Sequence, residues 1–249
     1  MSAGPDGPTR TGWGVVLPLL PALLAPPAVF AAFSLGGRLL LPLLATLAVY
    51  PPFAGLVMRG RRAAAIVSAL LWAASLSVSI IMMTARDPGR AGAVVLNGEA
   101  YRDELFAFIA AGAGRESDPA RFVPQHALHL GLFAAATLVS GGLLGLAMGA
   151  VLLGYMSFYV GSLLAGPAPL LAALFGWPPW ATARVVAFIL LGALLSRPLL
   201  ARLGRRPIPS QHERRIYLAA VALLILDVAL KALLAARWAA LLRPCLGAS

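Results

Sequence analysis

The sequence predicts an all-α fold: a polytopic helical membrane protein with about seven transmembrane helices and one amphipathic helix on the outer face. Three observations predict it. Sixty per cent of the residues are hydrophobic and only 12% are charged, whereas soluble domains carry about 45–50% and about 25%. The apolar residues fall into runs of the length, about 20 residues, that a helix needs to cross a hydrocarbon core. Arginines gather in the short segments between runs, as the positive-inside pattern requires.

The runs cover residues 13–34, 37–58, 63–84, 124–142, 143–165, 179–200 and 216–240. The first follows a segment whose one basic residue is Arg10, and it contains Pro18, Pro21, Pro26 and Pro27. A cleaved signal peptide has a more basic start and an uninterrupted apolar stretch, so this run is expected to stay as a span. Arg59, Arg61 and Arg62 separate the second and third runs; Arg202, Arg205, Arg206, Arg214 and Arg215 separate the sixth and seventh. Seven spans put both basic segments on one side, the cytoplasmic one, with the N-terminus inside and the C-terminus outside. Residues 126–165 are too long an apolar stretch for one span, and Ser140-Gly141-Gly142 is the expected turn within them, because glycine adopts the backbone angles of tight turns. The Pro-rich segment 166–180 reads as an interfacial or re-entrant piece, with Trp177 and Trp180 at headgroup level. The 249 residues are expected to form a single membrane domain.

The connection from Ala85 to Val123 stands apart. It holds six of the nine acidic residues, Asp87, Glu99, Asp103, Glu104, Glu116 and Asp118, together with five arginines. Within it, Tyr101, Leu105, Phe108, Ile109 and Gly112 recur at helical spacing, so an amphipathic helix is expected over about 98–112. Asn97 is its expected cap, with Glu99 in the first turn where the helix dipole favours an anion. Asp118-Pro119 is a second helix start of the same kind. The helix is expected to lie on the outer membrane face or to lid the bundle.

The net charge is +11. No basic domain stands clear of the membrane, so the lipid bilayer and not nucleic acid is the expected partner of these arginines. Cys245 is the only cysteine, which excludes an internal disulfide or a CxxC pair. Lys231 is the only lysine among twenty basic residues; with much Ala, Leu, Gly and Arg, this composition points to a GC-rich bacterial genome and hence to a bacterial cytoplasmic membrane.

Few polar residues occupy apolar runs. His126 and His129 share a helix face at the start of the fourth span, and Phe133, Thr137 and Ser140 continue it. Two histidines so spaced can hold a divalent metal, and Asp103 or Glu104 in the preceding loop could complete the set or act as a base. Asp227 and Lys231 lie one turn apart in the seventh span and can neutralise each other as an intramembrane ion pair. Arg184 and Arg197, toward opposite ends of the sixth span, can snorkel, or Arg184 can hold an anionic group beneath the loop helix. Gly142, Gly145, Gly149, Gly154, Ser157 and Gly161 form a small-residue stripe for close helix packing. Tyr155, Tyr159 and Ser162 occupy another face and could line a polar cavity.

Enzyme motifs are incomplete. Pro209-Ser210-Gln211-His212 resembles the PSGH element of lipid phosphate phosphatases, but their third motif, an Arg followed by a His and an Asp, has no counterpart after it. No rhomboid-type GxSG, membrane-protease double Glu, Walker A or GxGxxG occurs. Two readings follow. In the first, the chain is a transport-related or assembly subunit, its outer loop gating a cavity or meeting a membrane-protein partner or a second copy. In the second, it is an intramembrane hydrolase or metal-dependent enzyme, with catalytic Glu104, His126 and His129 and a substrate site of Arg184, Tyr155 and Tyr159.

Overall fold

The computed structural model describes residues 13–204 and 213–247. Arg10, Arg205, Arg206 and the 209–212 segment lie outside the described residues. The chain is a helical polytopic membrane protein with seven helices long and apolar enough to cross a membrane, and the described residues contain no strand.

The spans are α1 (Trp13–Leu35), α2 (Leu40–Met58), α3 (Arg62–Arg86), then, after two helices of the long connection, α6 (Pro119–Ser140), α7 (Leu143–Leu164), α9 (Pro179–Leu195) and α11 (Glu213–Leu242). The connection contributes α4 (Pro88–Val94) and α5 (Gly98–Ala111); α8 (Pro169–Phe175) and α10 (Arg197–Gly204) are short pieces beside α9. The expected turn is present: Gly141 and Gly142 both have positive φ, 60° and 97°, and reverse the chain between α6 and α7. The fourth span begins five residues before the expected 124, because the Asp118 side chain accepts from the Ala120 N–H and Pro119 opens the helix.

Proline does not break α1 or α2, although six prolines lie in their interiors. In a bilayer the carbonyl that each one orphans must find another donor. Pro26 has no N–H for the Ala22 carbonyl, and the Ser75 hydroxyl of α3 donates to that oxygen instead, at 2.7 Å. Trp72 of α3, fully buried, donates to the Ala45 carbonyl of α2 at 3.1 Å. These bonds join α1, α2 and α3 into one packed unit.

The small-residue stripe of α7 divides by position. Gly161 lies against α3, where a Cβ would stand 2.5 Å from the Thr84 Cβ and 2.7 Å from the Ile81 carbonyl oxygen. Gly145 lies as close to Thr137 of α6. Gly149 departs from the expected close packing, since a Cβ there would meet nothing within 4 Å.

One end of the bundle carries a cap made of α4, α5, α8 and the end of α11. The helix expected over 98–112 is α5; it ends at Gly112, which takes the left-handed C-cap position. Leu105, Phe108 and Ile109 are buried, so α5 packs as a lid and does not lie free on the membrane. Asn97 occupies the N-cap position with φ 59°, but its side chain makes no capping bond; the left-handed backbone turns the side chain away from the N–H groups that an extended cap would meet. Gly98 brings α5 close to α7, with Phe158 2.9 Å from where its Cβ would be. Trp180 is not displayed at headgroup level: it is buried against Trp238, ring centroids 5.2 Å apart, and Trp238 donates to the Phe175 carbonyl. Arg90 donates to the Phe33 and Ser34 carbonyls and ties the cap to the end of α1.

At the opposite end, Glu213 pairs with Arg62, at 3.3 Å, and with Arg197. This cluster joins the starts of α3, α10 and α11. Arg197 therefore has a protein partner there. At 1.5 Å per residue, α11 is about 45 Å long against a hydrocarbon core of about 30 Å. Counted from Glu213, Asp227 lies about 21 Å and Lys231 about 27 Å along it, at and just past its middle toward the cap.

Candidate functional site

Beneath the cap, α9, α11 and the end of the long connection bring four charges together. Arg184 of α9 donates from Nε and Nη2 to both carboxylate oxygens of Asp227, each at 2.8 Å. Lys231 donates to Glu116 at 2.8 Å; Glu116 belongs to a one-turn 3-10 helix, Arg115–Ser117, that precedes α6. Asp227 and Lys231 are both buried, 2% and 3% exposed. Their expected mutual pairing is corrected: each is neutralised from another element. Facing helices supply shorter, better-aligned partners than two side chains on one helix, and a planar guanidinium matches a carboxylate bidentately.

Aromatic groups surround the charges. The Lys231 ammonium stands 4.7 Å over the Phe122 ring, and His126 lies edge-on to the same ring at 5.4 Å. Tyr101 of α5 contacts Tyr155 of α7, with centroids 4.5 Å apart. Burial pushes the Tyr101 phenol well above the ordinary tyrosine range, and the Glu116 charge adds to the rise. The folded form thus holds a proton that the unfolded chain releases near pH 10. The sign follows: the contribution is intact below about pH 10 and is lost as the pH climbs above it. Tyr101→Phe is therefore expected to flatten the fall in thermal stability between about pH 9 and 11, measured as melting temperature against pH; an unchanged slope would refute it.

A cavity lies beside this cluster within the membrane-spanning part, and of the four charged residues Arg184 lines it. Its polar lining nearest the cap is His129, Arg184 and Tyr155; its walls are otherwise almost wholly apolar, running along α6, α7 and α9 to Gly142 and Phe53 at the far turn. From Tyr155 to Gly142 along α7 is about 20 Å. The cavity encloses about 840 Å³ of empty space, its open part included. The open space beside Gly149 is part of it. Thr137, fully buried, lines it with a hydroxyl that has no hydrogen-bond partner among the described residues.

The candidate residues separate accordingly. Arg184, His129 and Tyr155 line the cavity together. Tyr159, 1% exposed, does not line the cavity: its ring packs among Tyr101, Phe106 and Trp238 in the cap core. Glu104 is exposed on the cap, and Asp103 pairs with its neighbour Arg102. Among the described residues no three His, Cys, Asp or Glu side chains converge as a metal-binding group, so Glu104, His126 and His129 are not grouped as metal ligands. The loop acid that reaches the bundle is Glu116. Its sequence neighbourhood carries no signal for this, because nothing local dictates how a long connection folds back. Comparison with known proteins gives no matching family, no matching curated protein and no matching solved structure.

Proposed function

We propose that the chain is a transport-related component of a bacterial cytoplasmic membrane, in which the external cap gates the intramembrane cavity. The observation that carries this reading is the Lys231–Glu116 pair. It latches the long connection onto the bundle within one helical turn of the Asp227–Arg184 pair, and Arg184 lines the cavity. Such a latch suits a gate. A buried pair holds firmly when closed, and removing either partner leaves an uncompensated charge that drives the segment apart. The arginines of the α2–α3 and α10–α11 connections support an outward-facing cap. The cavity's apolar walls and few polar lining groups have the character of a ligand pocket, in which such groups orient an otherwise apolar guest.

The test uses Gly149→Cys in a Cys245→Ser background, with an impermeant thiol reagent applied from the cap side. With the latch intact, labelling is expected to be slow. Glu116→Gln should speed it by about tenfold or more, a shift of about 1.4 kcal/mol in the closed–open balance. Equal labelling rates with and without Glu116 would defeat the gate.

A further inference from the structure

We infer that the cavity is filled sideways from the hydrocarbon of the bilayer, through a seam between α3 and α9, by a neutral membrane-soluble molecule that carries a carbonyl-type hydrogen-bond acceptor. The inference rests on the reading of the cavity as a ligand site and adds the guest's chemical class and its way in.

The seam is the first argument. A second hollow lies on the outside of the bundle between α3 and α9, with about 820 Å³ of space, its open side included. Ala74 and Val78 of α3 and Thr182 of α9 line it and are exposed. Ala74 stands about 18 Å along α3 from Arg62, at the middle of a helix about 37 Å long, so the hollow faces hydrocarbon and not water. Apart from the Ser77 and Thr182 hydroxyls and the Trp177 indole, its lining is aliphatic. Leu153 of α7 and Val185 of α9 line both this hollow and the inner cavity. A side chain with open space on either side of it is a partition one residue thick. Leu153 and Val185 carry no polar side-chain group, so this partition opens by rotamer changes alone. On the cap side, the buried Lys231–Glu116 ion pair must part before the connection lifts. The lateral path is the less obstructed one.

The chemistry behind the seam is the second argument. Arg184 directly precedes Val185 in α9; it lines the inner cavity and is 21% exposed. Asp227 takes one hydrogen from its Nε and one from its Nη2, and the rest of the guanidinium's N–H donors are left over. Asp227 also cancels the arginine's charge. The lining therefore presents spare donors, with His129 and Tyr155 beside them, and no uncompensated guanidinium. An acceptor oxygen on the guest is matched there, whereas an ionic headgroup would arrive without a counter-ion. The bilayer makes the same selection beforehand, because ions partition poorly into hydrocarbon. Trp72, Phe133 and Phe188 stand among the walls that would receive the guest's apolar body.

The test follows labelling of the Gly149→Cys variant, in the Cys245→Ser background and in phosphatidylcholine vesicles, since position 149 lines the inner cavity. The reagent is a long-chain N-alkylmaleimide dissolved in the bilayer, and the labelled fraction is read by mass spectrometry. Ala74→Phe and Thr182→Phe fill the outer hollow from exposed positions and should each slow labelling by about tenfold. Val185→Ala should quicken it by about threefold. Glu116→Gln should leave it unchanged, although the same substitution quickens an impermeant reagent applied from the cap side. The unreactive N-alkylsuccinimide, a neutral dicarbonyl, should protect the thiol, and an alkane or alkylsulfonate of equal length should not. Parental labelling in both hollow-filling variants, shown folded by their melting temperatures, would overturn the seam. Equal protection by the alkane would overturn the acceptor, and stronger protection by the sulfonate would overturn the guest's neutrality. If Glu116→Gln speeds both reagents alike, the guest enters beneath the cap: the gate stands and lateral entry falls. If it speeds neither while the hollow-filling variants slow the maleimide, lateral entry stands and the gate falls.

Discussion

Asp227→Ala is expected to lower stability by about 3–5 kcal/mol, because it strands the Arg184 guanidinium in the bundle without its carboxylate. Arg184 donates to both oxygens of Asp227, and Asp227 is 2% exposed. In hydrocarbon an unpaired ion cannot recover its hydration, so the loss exceeds that of any exposed pair. For a chain of this size the thermal midpoint in detergent should fall by roughly 10 °C. Arg184→Met alone should cost a similar amount by stranding Asp227. The double variant Arg184→Met/Asp227→Leu should recover most of the loss, since an apolar pair of similar volume can replace a buried ion pair almost without penalty. Full stability in Asp227→Ala, or no recovery in the double variant, would show that this pair does not hold α9 to α11. Loss of transport without loss of stability in Asp227→Asn would instead assign the residue a direct part in conduction.

Gly161→Leu is the second large effect. The new Cβ would stand 2.5 Å from the Thr84 Cβ and 2.7 Å from the Ile81 carbonyl oxygen. Backbone cannot step aside as a side-chain tip can, so α3 and α7 must separate and the packing below the cap must open. Overpacking of this kind costs about 1–3 kcal/mol where the neighbours can adjust, and more where they cannot. Gly161→Leu should therefore fail to yield monodisperse folded protein, and Gly161→Ala should already lower the melting temperature. Gly149→Ala provides the contrast: with nothing within 4 Å, it should be neutral or gain up to about 1 kcal/mol from the better helix former. Equal sensitivity at the two positions would contradict the division of the stripe into a packed part and an open part.

That division shows where sequence reasoning reached its limit. Glycines at regular intervals announce a helix face on which something approaches closely, and Gly145 and Gly161 bear this out. Nothing in the spacing distinguishes them from Gly149, because the distinction lies in what the neighbouring helix leaves out. The capping by Asp118, the Gly141-Gly142 turn and the buried face of α5 were legible for the opposite reason: each depends on contacts within a few residues. Tyr155 and Tyr159, four residues apart on one helix face, end in different places, one lining the cavity and one in the cap core. The aromatic side chains of α5 and α11, arriving from the cap, decide between them.

Hydropathy and local chemistry alone determined that this chain spans a membrane with seven helices, where those helices begin and end to within a few residues, and that an amphipathic helix stands between the third and fourth spans. These properties follow from the cost of exposing backbone polar groups and charge to hydrocarbon, a cost summed over about 20 consecutive residues and so written in consecutive residues. Only the tertiary structure decided which charges meet. Asp227 reaches across 43 residues to Arg184, and Lys231 meets a loop acid, Glu116, far earlier in the chain. A buried ion takes whichever partner the rotation of its helix and the return path of a loop present at hydrogen-bonding distance, and neither rotation nor path is a property of any short stretch of sequence.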